Sequence, residues 1–340
     1  MKLRTTRKSI TLILFSATLF LLTANLLINI INQSSKPELN KTNLSSQEID
    51  SIFLHSLYSF GLLDEWIKET KNSKVKSAYK VKVSADLSIP VILAEINKIF
   101  WENNVTISSV EKDFSGRTIL NISKANIIQL KSEFKYDKGI HRSAGKAAFI
   151  IEDFELSNDE DSMLLKIPEP FSPLLIPSNE NSKIKESIIN NDKIYLLLLS
   201  DDISELKYKL KEGFARKRLK SSLLSIINAF SDASFFVIDD KSDLFLSTAY
   251  SYLQTELTKR KIKLVKLSSL QKLEYEDVNQ LNNTFENLLI AAGVEEGITF
   301  LITSEGFKIL LPEIERFRKM GYKFVHPSET IIEDIITAQD

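Results

Sequence analysis

Four short apolar runs, each ending in acidic residues, constrain the fold of this chain more than any other feature. The first run, residues 146–151, ends at Glu152 and Asp153. The later runs, each with an acidic residue that follows it, are residues 195–199 with Asp202, residues 235–238 with Asp240, and residues 298–302 with Glu305. Runs of this length predict strands buried on both faces, and helix-like stretches separate them. The pattern predicts a parallel α/β sheet or barrel, whose strands end along one shared edge, here called the carboxyl edge.

The acidic side chains expected at the carboxyl edge allow two interpretations. They are Glu152, Asp153, Asp202, Asp240 and Glu305. In the first interpretation they converge on a hard divalent cation such as calcium, magnesium or manganese, which takes oxygen ligands. In the second, strand-end Asp and Ser residues cap the helices that follow, and Asp202 and Asp240 both precede sequence that we expect to be helical.

Length and composition set limits on the function. A chain of 340 residues has room for more than one domain, at roughly 100–200 residues per domain. The formal net charge of −1 gives no overall attraction to nucleic acid, so we expect no nucleic-acid partner. The absence of cysteine excludes disulfides, thiolate zinc sites and thiol nucleophiles.

The amino-terminal residues predict a membrane segment. Residues 2–8 carry four basic side chains, and residues 9–35 carry no charge at all. The apolar stretch at 10–31 is long enough to cross a bilayer, which takes about 20 residues. A cleaved signal peptide is the rival, but its apolar part spans only about 7–15 residues and ends at small residues. We expect an uncleaved single-pass anchor at 9–32, with residues 1–8 in the cytoplasm and the rest periplasmic, outside the inner membrane.

The remaining chain divides into two predicted domains. Residues 33–74 predict a linker and an amphipathic helix, and residues 75–138 predict a small α/β domain. This domain includes a hairpin made of residues 106–114 and 118–123, and it carries no chemistry-bearing motif. We interpret it as a packing or protein-contact module. Residues 146–335 form the second domain.

Three blocks in the second domain carry a family resemblance. They are Ala-Phe-Ile-Ile-Glu-Asp at 148–153, Ile-Pro-Glu-Pro-Phe-Ser-Pro-Leu-Leu-Ile-Pro at 167–177, and Leu-Pro-Glu-Ile at 311–314 followed by Gly-Tyr-Lys-Phe-Val at 321–325 and Pro-Ser-Glu at 327–329. In order and texture they resemble the divergent polysaccharide deacetylases, relatives of the NodB-type carbohydrate deacetylases. The resemblance covers residues 146–332 and implies a deformed β/α barrel, an envelope location and a carbohydrate-related ancestry.

The resemblance also implies a metal site that this chain does not reproduce. Active family members place histidines in blocks similar to His-Leu-Pro-Met-Glu, Asn-Asn-His-Met-Gly-Ser and Gly-His-Pro-His. The corresponding stretches here are Leu-Leu-Ser-Asp-Asp at 198–202, Ile-Asp-Asp-Lys-Ser-Asp at 238–243 and Ile-Thr-Ser-Glu-Gly at 302–306. Of the family's site, only the acidic pair Glu152 and Asp153 is retained. Deacetylation of this type uses a divalent metal, and metals such as zinc favour imidazole ligands.

Three functions are therefore open from the sequence. The leading expectation is a catalytically degenerate, membrane-anchored member of this family that binds an envelope glycan or an envelope protein. The second is an active deacetylase with a carboxylate-only metal site, in which Asp153 and Glu152 are the catalytic residues. The third is a structural assembly protein, which predicts an exposed apolar patch away from the carboxyl edge. Glycan binding predicts exposed aromatic residues in a cleft, with Phe154, Phe171 and Phe307 as candidates.

Overall fold

The chain forms two units. The computed structural model describes residues 44–71, 75–101, 103, 105–113, 116–142, 144–293 and 297–331. Within these residues, unit 1 holds 44–57 and 63–140, and unit 2 holds 58–62 and 141–331. None of the helices in the described part is long and apolar enough to cross a membrane. The anchor predicted at 9–32 lies outside the described residues.

Unit 1 is a mixed five-stranded sheet with helices packed on it. Its elements in chain order are α1 Ser46–Tyr58, a 3-10 turn Asp64–Trp66, β1 Ile67–Glu69, β2 Ser77–Val83, α2 Ile89–Phe100, β3 Thr106–Glu111, β4 Thr118–Lys124 and β5 Ile127–Tyr136. The strand order is β1-β2-β5-β4-β3, with β2 and β5 parallel and the other pairs antiparallel. The predicted hairpin is confirmed as the β3–β4 pair. Helix α1 buries Ile49, Phe53 and Leu57, which the four-residue spacing places on one face.

Unit 2 alternates strands and helices, as the spacing of the apolar runs predicts. Its elements in chain order are β6 Lys146–Ile151, α3 Asp159–Leu164, β7 Ser172–Leu175, α4 Asn181–Ile189, β8 Leu196–Leu199, α5 Arg216–Ala229, β9 Phe236–Ile238, α6 Asp243–Leu246, α7 Thr248–Lys259, β10 Leu264–Lys266, a 3-10 turn Leu267–Ser269, β11 Gln271–Lys272, α8 Val278–Ala291, β12 Ile298–Ile302, α9 Ser304–Met320, β13 Lys323–Phe324 and a 3-10 turn Pro327–Glu329.

The strands of unit 2 form one parallel sheet. Its order is β10-β9-β8-β7-β6-β12-β11, and β13 pairs with the start of β6. Every pair in it is parallel, which confirms the parallel sheet predicted from the apolar runs. Among the described strands the path ends at β10 and β11 without closing. The fold is therefore α/β with a curled half-barrel, where a deformed barrel was predicted.

Strand β6 lies inside this sheet, between β7 and β12, and is buried on both faces. Ala147, Phe149 and Ile151 contribute to the large apolar cluster between the sheet and its helices. Ile150 points to the other face, where it packs in a smaller cluster with Leu301. A strand with apolar contacts on both faces needs apolar residues at every position, which explains the uninterrupted run in the sequence.

Candidate functional site

The sheet topology places the predicted acidic residues along one edge. Strands β9, β8, β7, β6 and β12 are neighbours and parallel, so they all end at the carboxyl edge. Glu152 and Asp153 follow β6 directly. The other three residues come after β8, β9 and β12, and they are Asp202, Asp240 and Glu305. Glu305 lies in the first turn of α9.

Asp153 caps a helix that begins at the neighbouring strand. Its Oδ1 accepts a hydrogen bond from the backbone N–H of Ser304, the first residue of α9, at 2.6 Å. The Oγ1 of Thr303 accepts a second bond from the N–H of Gly306 at 3.1 Å. The first N–H groups of a helix have no partner within it, and a carboxylate also interacts favourably with the helix dipole. The side chain of Asp153 therefore stabilises the start of α9.

Glu152 is held at the same edge by different partners. Its Oε1 lies 3.3 Å from Nζ of Lys272, which belongs to β11. Its backbone N–H donates to the carbonyl of Ile302 at 3.1 Å, which extends the ladder between β6 and β12 by one bond. Asp153 and Glu152 thus each make a separate structural contact, the first with the start of α9 and the second with β11.

The cap predictions for Asp202 and Asp240 are wrong in detail. No helix starts after Asp202 until Arg216, and it is the adjacent Asp201 whose Oδ1 accepts from the N–H of Leu244 in α6, at 2.8 Å. The first helix after Asp240 is α6, and its N-cap residue is Ser242, not Asp240.

Asp240 instead fixes the segment that follows β10. Its carboxylate accepts from the N–H of Ser268, at 3.0 Å, and from the hydroxyl of the same residue. Burial raises the pKa of Asp240, but the two bonds from Ser268, a bond from its own backbone and the charge of Lys266 together outweigh burial and hold that pKa below its usual value. The carboxylate therefore links the loop after β9 to the segment after β10 at the carboxyl edge.

The residues present do not fit the divalent metal that the resemblance implies. In the described part of the chain, no group of three or more His, Cys, Asp or Glu side chains is placed to hold a metal ion. His55 lies in α1 of unit 1, His141 precedes β6, and His326 follows β13. Residues 146–325, which include the whole carboxyl edge, contain no histidine.

A cleft opens at the ends of β6 and β7, and we call it the acidic cleft. It has a volume of about 310 Å³ and lies between the loop after β6 and the start of α4. Its carboxylates are Glu152, Asp153, Glu155 and Glu180. Its other lining residues are Phe154, Leu156, Ser157, Leu174, Leu175, Ile176, Ser178, Asn181 and Ile184. No lysine, arginine or histidine is among the residues that line it, and Lys272 pairs with only one of the four carboxylates, Glu152, so the cleft keeps a net negative charge.

Sequence reasoning missed half of these carboxylates. Glu155 and Glu180 make no side-chain hydrogen bond or ion pair with any described residue, so both carboxylates are available to a ligand. The wall beside Glu180 is rigidly built, since Nδ2 of Asn181 donates to the carbonyl of Ile176 at 2.8 Å and its N–H donates to Oγ of Ser178 at 2.9 Å. The polar cluster at 178–182, directly after a proline, is the loop signal that marks this wall in the sequence.

The aromatic surface predicted for glycan binding is absent from the acidic cleft. Phe154 is 5% exposed, and Phe171 and Phe307 are fully buried. The ring of Phe171 packs between the other two, with its centroid 6.2 Å from that of Phe154 and 5.3 Å from that of Phe307. The prediction of an exposed aromatic surface is wrong because these rings fill the core beneath the carboxyl edge.

Comparison with known proteins yields structural neighbours only. No family model matches the chain, and no curated protein matches it. The catalytic domain of a peptidoglycan N-acetylglucosamine deacetylase from Eubacterium rectale is 9% identical, with a TM-score of 0.41 over 57% of this chain and 93% of that one. A CE4 family pseudoenzyme from Bacillus anthracis is 9% identical, with a TM-score of 0.39 over 71% of this chain and 95% of that one. An uncharacterized protein from Agrobacterium tumefaciens is 12% identical, with a TM-score of 0.39 over 56% and 90%.

These neighbours include an enzyme and a pseudoenzyme of the kind that the sequence blocks resemble. With TM-scores near 0.4, the likeness carries no weight for the chemistry of this chain.

Proposed function

We propose that this chain is a membrane-anchored envelope protein that binds a glycan in the acidic cleft without turning it over. The observation that carries the proposal is the state of the opening acidic pair. Asp153 caps α9 and Glu152 pairs with Lys272, while the carboxyl edge has no histidine to complete a deacetylase metal site. The cleft keeps the position of a ligand site at the end of parallel strands but not the donor set for catalysis.

The lining of the acidic cleft indicates the class of glycan. The described lining of the acidic cleft has no exposed aromatic ring for stacking on a sugar, so recognition would rest on charge and hydrogen bonds. The two carboxylates without a partner among the described residues, Glu155 and Glu180, favour a ligand that carries positive charge, and an amino sugar brings such a charge on a hydroxyl-rich ring. Ser157, Ser178 and Asn181 offer polar groups to hydroxyls, and Ile176, 42% exposed, offers an apolar contact. The segment at 9–32 would hold both units at the outer face of the inner membrane, where such glycans occur.

Calorimetric titration of the full chain in detergent micelles tests the proposal. The probes are a glucosamine tetramer, which is cationic, and an N-acetylglucosamine tetramer, which is neutral. We expect the cationic probe to bind more tightly, and the double change of Glu155→Gln and Glu180→Gln to remove most of that preference because both unpaired carboxylates become neutral. Glu315→Gln, on the exposed side of α9, is the matched control and is expected to bind as the parent does. Equal binding of both probes, or loss in the control alone, would contradict the proposal.

The enzymatic alternative is tested on the same samples. Elemental analysis of the full chain and of Asp153→Asn is paired with an assay for acetate released from the N-acetylglucosamine tetramer. A stoichiometric divalent ion that disappears in the variant, together with acetate release by the parent, would overturn the non-catalytic function. We expect neither.

A further inference from the structure

Strand β3 of unit 1 is an edge strand of its sheet. Among the described strands its one partner is β4, so β3 ends the five-stranded sheet. Five of its six residues are exposed, and Ile107 is half-buried. A strand at the end of a sheet presents backbone donors and acceptors on its outer side, and these pair readily with another extended chain.

The register identifies the backbone groups that face outward. The N–H of Lys112 donates to the carbonyl of Arg117 at 2.8 Å, so this opposed pair is a hydrogen-bonded one. Hydrogen-bonded and non-hydrogen-bonded pairs alternate along an antiparallel ladder. The N–H and carbonyl groups of Ile107, Ser109 and Glu111 therefore point away from β4, toward the free edge.

A groove runs along the same strand. It has a volume of about 500 Å³ and lies between β3 and helix α2. Leu93, Ala94 and Asn97 of α2 line one side, and Ile107, Ser109 and Glu111 of β3 line the other. The three residues with outward-facing backbone groups are thus the ones whose side chains line the groove. A peptide added to this edge would place alternate side chains over the groove.

The opposite edge of the sheet, strand β1, has features that hinder pairing with another strand, and β3 lacks those features. Strand β1 has three residues, and one of them is Lys68; short length and an edge lysine are both devices that block pairing. Strand β3 has six residues, with neither lysine nor proline among them. One acidic side chain, Glu111, closes one end of the groove, and it forms no ion pair with any described residue.

We propose that β3 and this groove bind an extended peptide of a partner protein by antiparallel strand addition, with apolar side chains at alternate positions and a basic side chain opposite Glu111. The open backbone ladder requires an extended chain, and the carboxylate of Glu111 selects its charge. The apolar part of the groove, which Leu93, Ala94 and Ile107 line, receives its alternate side chains. This function belongs to unit 1 and is separate from glycan binding in unit 2.

The test uses the full chain in detergent micelles and a synthetic probe, acetyl-Lys-Thr-Val-Thr-Val-Thr-amide. Its lysine and two valines fall opposite Glu111, Ser109 and Ile107. A second probe carries glutamate in place of the lysine. We expect calorimetry to show that the lysine probe binds about fivefold more tightly than the glutamate probe. The lysine forms an exposed ion pair with Glu111, whereas the glutamate is repelled by it. Glu111→Lys is expected to reverse that order, and Glu69→Lys on the protected edge β1 is expected to leave it unchanged.

Ser109→Pro tests the backbone component. Its N–H takes no part in the β3–β4 ladder, so proline removes an outward donor and blocks pairing while the circular dichroism spectrum stays that of the parent. We expect this variant to bind neither probe. Absence of binding by the parent up to about 1 mM, or an order of affinities that Glu111→Lys leaves intact, would overturn the proposal. So would a parent dimer that Ser109→Pro converts to a monomer in sedimentation equilibrium, because a second copy would then occupy the edge.

Discussion

Replacing Asp153 by alanine tests whether its carboxylate stabilises the fold. Removal of a carboxylate that caps α9 lowers the free energy of unfolding. The change removes the acceptor for the N–H of Ser304, which is worth about 1 kcal/mol at a helix N-terminus. It also removes a negative charge beside the positive end of α9, worth about 0.5 kcal/mol. We expect Asp153→Ala to lower the free energy of unfolding by about 1.5 kcal/mol, and Asp153→Asn to lower it by about 0.5 kcal/mol because the amide oxygen still accepts the bond.

Urea unfolding followed by circular dichroism at 222 nm measures both changes. Thr303→Ala is a positive reference, since its hydroxyl oxygen accepts the second N-terminal bond of α9. Asp202→Ala is the matched control, because this exposed carboxylate follows β8 at the same edge and makes no side-chain hydrogen bond with any described residue. If Asp153→Ala is as harmless as Asp202→Ala, or if the asparagine and alanine variants lose the same stability, the capping interpretation is refuted.

Three further changes are open to measurement. Lys193→Met is expected to lower the free energy of unfolding in urea by about 3 kcal/mol, since the buried ammonium donates to two backbone carbonyls at 2.8 Å that would lose their partner. The lowered pKa of Asp240 contributes stability above about pH 4 that is lost as the pH falls through the folded-state pKa. Ser268→Ala should reduce that acid-induced loss in urea titrations, because one of the bonds that lower the pKa is gone. Gly321→Ala is expected to lower the free energy of unfolding by about 1–2 kcal/mol and to lower the Tm. The backbone at this C-cap of α9 has φ of +113°, which alanine adopts only with strain.

The parallel sheet was predictable because its signal is local. A strand such as β6 lies between two apolar layers, so every position from Ala147 to Ile151 is apolar and the run ends where the backbone meets the polar edge. In β12 the run at 298–302 has the bounds of the strand itself, with Thr299 as its one polar residue. The chain between such runs was long enough for a helix, and parallel pairing followed.

The roles of the acidic residues were not predictable, because each depends on a partner distant in sequence. The N–H that Asp153 accepts from belongs to a residue 151 positions away, and Asp240 binds a serine 28 positions away. Local sequence favoured caps on the next helix, whereas the pairing of β6 with β12 and of β9 with β10 brings the loops that follow these strands within reach of each other. Phe154, Phe171 and Phe307 were the candidates for a glycan-binding surface, but all three rings lie in the core of unit 2.

The sequence alone was enough to predict the α/β architecture and the order of the strands along the chain, and it shows that residues 146–325 contain no histidine. These follow from apolar periodicity and residue identity, which act over a few residues. The tertiary structure was needed to show that Asp153 accepts from Ser304, that Glu152 pairs with Lys272, and that Glu155 and Glu180 share a cleft with them. It was also needed to show that β3 ends the described sheet of unit 1. Those features depend on which distant segments meet, and that is fixed by the packing of the whole unit.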